Sequence, residues 1–475
     1  LTTTTLSAPP RADTGSPRVR PGIALVTLLT CQLMIILDVT VMNVALPRIR
    51  ADLDFSPTGL SWVMDAYTLV FGGLLLLGGR AGDLFGRKRL FLAGTVVFTV
   101  ASLAGGLAPT AGWLIAARVA QGIGGAMAAP NTLALLTTTF TEPKARIRVL
   151  ALFSGMSSAG FAVGLLLGGL LTEWLSWRSV LFINVPFGLV VVALALRYLP
   201  DAPRRPAALD LPGAVTATAS VGALVYGFIS AATDGWGNLT TALSLSAGVV
   251  LLLAFLVVER RAAAPLLPLH LFADRSRAAA YANMFLGPMA GMSMFFFLTQ
   301  YLQEVRGMSA LATGFAFLPT AVLMFAIIRL IPRLLPRFGP KPLTVIGTLA
   351  MLAGLLLLTR LTTDSGYFPL LLAAMVLMGC GIGLAFSPLN VIIMATVPPA
   401  EAGAAGGALQ TLQQTGGALG LAILVTVFGT AARSASGSPA QVLVSGTTAA
   451  FAAAAVIAVL TFLVALTFPK VRQPN

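Results

Sequence analysis

Charge is scarce in this chain. Of 475 residues only 10% are Asp, Glu, Lys or Arg, while 57% are hydrophobic and the mean hydropathy is +0.91. A soluble globular chain carries about 25% charged residues, so a water-facing globule is excluded. Histidine occurs once, at His270 in a loop between apolar runs, which removes support for a zinc site or a histidine-based catalytic triad. Cysteine occurs twice, and Cys31 and Cys380 both fall inside apolar runs, so no disulfide framework is indicated. No GxxxxGK[ST] loop for ATP is present, and no nucleophile–base or metal-ligand set is visible. The chain reads as neither an enzyme nor a metal protein, with no bound cofactor, and any work it does must draw on a gradient.

Long apolar runs are what it has in abundance. A run of about 18 residues or more can cross a bilayer core. Fourteen candidates recur, at 22–42, 59–79, 90–108, 112–134, 149–171, 179–199, 209–230, 241–258, 278–302, 311–331, 342–361, 368–391, 404–430 and 446–468. The expected fold class is therefore an all-α polytopic membrane protein, with the lipid bilayer as its surroundings. The net charge of +14 would suggest nucleic acid in a soluble protein. Here the basic residues sit in short loops, so they read as topological and nucleic acid is not an expected partner. Arg87, Lys88, Arg89, Arg146, Arg148, Arg204, Arg205, Arg260, Arg261, Arg333 and Arg337 are among those on the side of the amino terminus. Only Arg48, Arg50, Arg178, Arg306, Arg360 and Arg433 fall on the other side. The positive-inside rule then puts both termini in the cytoplasm. Residues 1–21 read as a disordered cytoplasmic tail and 469–475 as a second tail.

The chain also resembles itself. "LFGRKRL" at 84–90 and "RFGPKPL" at 337–343 share Phe85, Gly86, Lys88 and Leu90 with Phe338, Gly339, Lys341 and Leu343. Each links what would be the second and third helices of a six-helix half. The expected organisation is an N-terminal bundle over 22–199, a linker with two extra helices over 200–277, and a C-terminal bundle over 278–468.

Five motifs stand out. "GRAGDLFGRKRL", residues 79–90, resembles the first cytoplasmic loop of the major facilitator superfamily. Gly79 and Gly86 permit a tight turn, Asp83 can cap a helix and pair with arginine, and Arg87, Lys88 and Arg89 hold the loop on its side. Pro336 takes the place of Asp83 in the second half, so the charged latch is one-sided. "LIAARVAQGIGGAMAAP", residues 114–130, resembles the fourth-helix motif of the same superfamily, and its lone Arg118 must find a partner inside the bundle. "GFAVGLLLGGLL", residues 160–171, resembles the fifth-helix antiporter signature. Gly160, Gly164, Gly168 and Gly169 let a neighbouring helix approach, as a hinge or as a packing face, but Leu165 replaces the signature proline. "WRSVLFINVPFG", residues 177–188, resembles the start of the sixth helix, where Trp177, Arg178, Asn184 and Pro186 read as anchoring and a kink. "LDVTVMNVALP", residues 37–47, looks like the first-helix signature of the fourteen-helix drug:proton antiporter branch, the EmrB/QacA type.

That resemblance implies two six-helix bundles plus two inserted helices, rocking to alternate access. Proton coupling needs a group that changes charge inside the membrane, and of sixteen acids only Asp38 and Asp65 lie clearly within spans. Burial disfavours the charged form of a carboxylate and a neighbouring arginine favours it, so an acid exposed alternately to two sides can load and release a proton. Asp38, Arg118 and Asp65 are the expected coupling residues. Asp38 and Asp65 with Gln300, Gln413 and Gln414 are the expected cavity set, the glutamines serving equally as polar glue between helices. Glu173 and Glu304 read as solvated acids of the outer face. The implied activity is efflux of a hydrophobic or cationic drug-like molecule in exchange for protons, by a monomer in the bacterial plasma membrane. A proton-coupled importer or a uniporter on the same fold stays open.

Overall fold

The computed structural model describes residues 20–200, 210–262, 265–395, 397 and 401–468, and these are helical almost throughout. The first group is α1 (Pro21–Leu53), α2 (Trp62–Phe85), α3 (Arg87–Gly106), α4 (Ala111–Thr139), α5 (Pro143–Trp174) and α6 (Asn184–Tyr198). Next come α7 (Leu211–Asp234) and α8 (Leu239–Arg261). The last group is α9 (Arg275–Gln300), α10 (Leu318–Phe338), α11 (Pro340–Leu358), α12 (Leu372–Ala395), α13 (Ala402–Ser434) and α14 (Pro439–Leu466). Short helices Ser179–Phe182 and Ala310–Ala316 lead into α6 and α10.

Helix starts follow the side chains that can satisfy free backbone N–H groups. Asp210, Asn238, Asp274 and Ser309 each accept from an N–H in the first turn of the helix that follows. Ser438 and Gln441 form a reciprocal capping box at α14.

Among the described residues twelve helices are long and apolar enough to cross a membrane. They cover the expected runs except 112–134 and 149–171, which lie in α4 and α5. Both are long helices of the same bundle. Helix α4 falls short in apolarity because Arg118, Gln121 and Asn131 lie within it, and in α5 the continuously described stretch Gly160–Trp174 is apolar but shorter than a span.

The same pairings recur in the two groups. In the first, α1 packs on α4, α5 and α6, α4 packs on α2 and α3, and α3 packs on α6. In the last group α9 packs on α12, α13 and α14, α12 on α10 and α11, and α11 on α14. Glycines allow the closest crossings. A Cβ on Gly124 would stand 2.7 Å from the Gly94 carbonyl oxygen, and one on Gly381 would stand 2.8 Å from that of Gly347. In a bilayer, where lipid is as apolar as leucine, such close backbone approach is what holds helices together. The groups meet where α2 packs on α13, α5 on α10 and α1 on α9. Helix α7 lies against both α2 and α13, and α8 packs mainly on α7.

The matching heptapeptides have matching structures. Gly86 and Gly339 adopt φ of +106° and +78° and turn α2 into α3 and α10 into α11. Two residues on, Lys88 donates to the carbonyls of Leu196 and Leu199 at the end of α6, at 3.3 and 2.7 Å. Lys341 donates to those of Leu466 and Phe468 at the end of α14, at 2.8 and 2.6 Å. Lys88 was expected to act with Arg87 and Arg89 as a charge fixing the loop. It is buried instead, and its ammonium completes the free carbonyls of the sixth helix, where the helix dipole favours a cation.

Gly160, Gly164 and Gly168 face α1, against Leu33 and Ile36, Thr40 and Leu37, and Val41 in turn. Gly169 faces the backbone of Ala310 and Leu311 instead, across the boundary between the groups. A Cβ on Gly168 would stand 2.8 Å from the Val41 carbonyl oxygen, so Gly168→Ala must push α1 and α5 apart. Overpacking of this kind costs about 1–3 kcal/mol. The expected result is a lower melting temperature for the purified variant, and an unchanged one would mean that α1 and α5 do not cross here.

Candidate functional site

Asp38 sits midway along α1, on the side turned to α4 and α6, and is 1% exposed. Arg118 of α4 reaches it with Nη1 at 2.5 Å from Oδ2. Gln121, one turn further along α4, donates to Asp38 Oδ1 at 2.9 Å and to the Ser102 hydroxyl of α3 at 2.7 Å. Asn184, the first residue of α6, donates to the same Oδ1 at 2.8 Å. The guanidinium also donates to Gln121 Oε1 and, through Nε, to the Val63 carbonyl of α2, both at 2.9 Å. It lies 4.5 Å from the centroid of the Tyr67 ring, a cation–π contact. Five helices thus converge on one carboxylate.

The chemistry of that arrangement follows from its dryness. Arg118, Gln121 and Ser102 have no exposure, and Asn184 has 1%. Taking two charges out of water costs several kcal/mol per ion, and attraction offsets this only if the other donors and lone pairs are also satisfied. Asp38 meets that condition with three donors. Arg118 meets it incompletely, since Nη2 has no hydrogen-bond partner. The Tyr67 hydroxyl and Asn184 Oδ1 also have none. These unused groups lie around a pair that a proton on Asp38 would loosen.

The expected residues divide into separate places. Asp38 and Arg118 come together. Asp65 does not join them: it is 1% exposed, and neither of its oxygens accepts a hydrogen bond. The nearest candidate on its own chain, the Ser61 hydroxyl, donates to the Thr58 carbonyl instead. Thr58, Asp65 and Gly72 recur at seven-residue spacing. Thr58 meets Gly429 of α13, and Gly72 meets Gln414 of α13, so helix periodicity puts Asp65 on the seam between α2 and α13. Gln413 and Gln414 are half-buried on α13. Gln300 is buried in α9, where its amide donates to Phe296 at 3.3 Å and its Oε1 has no partner. None of the three glutamines is bonded to Asp38.

In the loop motif, Asp83 pairs with Arg87 at 2.8 Å, Arg89 is exposed, and Gly79 lies over Pro130. Glu304 was expected to be solvated, and it is exposed. It is an ion-pair partner of Arg50 at 2.6 Å, because the end of α1 lies against the end of α9. In the same seam Thr299 donates to Asn43 at 3.0 Å and Gln303 to the Val44 carbonyl at 2.9 Å. This end of the bundle is closed. Trp177 and Arg178 anchor something specific too, since both donate to Asp52 at the end of α1, at 2.8 and 2.6 Å.

Gln121 and Asn184 are the site residues that sequence reasoning missed. Gln121 had a usable signal, lying three positions after Arg118 and so on its face of the helix. Asn184 sits two positions before Pro186 and was read as part of a kink.

The scan against family models decides the class: residues 28–421 match the Major Facilitator Superfamily model. The chain belongs to the major facilitator superfamily. It is a multi-pass membrane protein whose fold serves transport. It is 43% identical to the cephamycin export protein CmcT of Amycolatopsis lactamdurans, over 88% of this chain and 86% of that one. It is 45% identical to the puromycin resistance protein pur8 of Streptomyces alboniger, over 86% of this chain and 82% of that one. A crystal structure of the nucleoside transporter NupG superposes with a TM-score of 0.67, covering 95% of this chain and all of that one. Its sequence identity is 14%, so it speaks for the superfamily fold alone.

The network makes a sign-definite expectation. Arg118→Gln leaves Asp38 buried without its cation and should cost about 3–5 kcal/mol. Adding Asp38→Asn removes the stranded charge, so the double variant should melt higher than Arg118→Gln alone. Melting curves of the purified proteins check this, and additive losses would show that the two side chains do not interact.

Proposed function

We propose that the chain exports a hydrophobic, often cationic antibiotic or drug-like molecule across a bacterial plasma membrane in exchange for protons. The observation that carries this reading is the fully buried Asp38–Arg118 pair with Gln121 and Asn184 on the same carboxylate. Its support from relatives is their printed roles, export or resistance toward cephamycin, puromycin, tetracenomycin C and lincomycin.

In this reading α4 and α5 also cross, giving fourteen passes with both termini in the cytoplasm, as in the fourteen-helix drug:proton antiporter branch. The loops joining α1 to α2 and α9 to α10 are then external, and the Arg50–Glu304 seam closes the outer side. A proton arriving at Asp38 neutralises the carboxylate and releases Arg118. Loss of that proton to the cytoplasm restores the pair. A substrate cation that competes with the proton for Asp38 makes the two occupants mutually exclusive, which is the requirement for antiport. Asp65 serves as a second acid that the α2–α13 seam covers or uncovers as the halves rock, and the protein works as a monomer.

Inside-out vesicles energised with an acid interior test the proposal against the importer reading. Cephamycin, puromycin, tetracenomycin C or lincomycin should release lumenal protons from vesicles with the native protein, and Asp38→Asn should abolish the release. Normal coupling in the variant would overturn the role of Asp38. Absence of any drug response, with accumulation of a metabolite in whole cells, would favour import.

A further inference from the structure

The helix pair α7–α8 lies outside the repeated pairings and outside the Asp38 network, yet it holds two buried acids. Asp210 and Glu259 are 7% and 3% exposed, at adjoining ends of α7 and α8. Each spends one oxygen on the backbone. Asp210 Oδ1 accepts from Gly213 N–H at 2.8 Å, and Glu259 Oε2 accepts from Leu267 N–H at 3.1 Å. The remaining oxygens, Asp210 Oδ2 and Glu259 Oε1, have no hydrogen-bond partner. Both point to the same spot: a Cβ on Gly213 would stand 2.5 Å from the first and 2.9 Å from the second. Glycine at 213 is what lets them converge.

Two carboxylates facing each other in a dry place cannot both stay charged without a positive charge between or beside them. Among the described residues the charged groups around them are few. Arg80 of α2 donates to the Pro265 carbonyl at 2.6 Å, on the linker that Glu259 also holds. Arg260 and Arg261 are exposed, and His270 of the linker is 3.0 Å from Glu401 at the start of α13. Two free oxygens are too few to coordinate a metal cation such as calcium, which takes 6–8 oxygen ligands. They match one O–H donor and one acceptor.

We propose that Asp210 and Glu259 form a proton-binding pair, one carboxyl donating its O–H to the other's carboxylate. Held that way, the proton latches α7 to α8 and, through Leu267, to the linker that leads into the second half. Its loss leaves two like charges that push the latch open. This site does not depend on the export reading, and it gives the extra helix pair a role as a proton-responsive clamp.

The test is the melting temperature of the full-length protein in detergent between about pH 6 and about pH 9, for the native chain, Glu259→Gln and Asp210→Asn. Stability should fall as pH rises, because the folded state binds a proton that the unfolded state releases. The expected fall is about 2 °C or more in the native protein, with at least half of it lost in each variant. Asn caps a helix nearly as well as Asp, so Asp210→Asn decides the matter if Glu259→Gln does not fold. A full pH dependence in a folded variant overturns the proposal, as does its absence in the native protein. So does a native melting temperature that rises with sodium or potassium at fixed pH, which would assign the site to an inorganic cation.

Discussion

The structure turns on a single buried ion pair. Asp38 and Arg118 would each be a large liability alone in a membrane, where a charged side chain at mid-helix costs roughly 2.5–3.5 kcal/mol on insertion scales. Paired and ringed by Gln121, Asn184, Ser102 and the Val63 carbonyl, they become the point at which α1, α2, α3, α4 and α6 are tied. The same helix α1 carries Asn43, Val44 and Arg50, which join α9 at the closed end. A change of charge at Asp38 is thus felt on the helix that also holds the seam. The central acid and the seam between the groups share one helix.

Around that pair the duplicated architecture supplies stiffness. Glycine crossings let α3 meet α4 and α11 meet α12 at backbone distance, while Lys88 and Lys341 finish the ends of α6 and α14. These contacts lie within the groups. Those between the groups combine polar links, the Arg50–Glu304 ion pair and the hydrogen bonds of Thr299, Gln303 and Thr411, with close packing, as where Gly169 meets the backbone of Ala310 and Leu311.

Much of this was legible in the sequence, for identifiable reasons. Apolar runs located the helices because the bilayer demands length and apolarity, and the one acid within the first run pointed to Asp38. Apolarity is diluted where polar residues enter a helix. Helix α4 is less apolar than its neighbours because it carries Arg118, Gln121 and Asn131. Partners across helices were harder to read. Lys88 looked like a loop charge and the Arg50 partner of Glu304 was not visible, since sequence shows a residue's own run and not the helix end or the second group that meets it. Asn184 belonged to the same class of omission: its partner lies 146 positions away. The glutamines Gln300, Gln413 and Gln414 share a residue type with Gln121 but are not bonded to Asp38.

The most direct test of the central claim is proton release when a substrate binds to the purified protein, read with a pH indicator in weakly buffered detergent. Linkage requires that a ligand competing with the proton for Asp38 displace it. Native protein saturated with puromycin, or with another of the antibiotics exported or resisted by its relatives, should release up to about one proton per bound molecule. The Asp38→Asn protein should release none while still binding. Equal release from the two proteins would contradict the account.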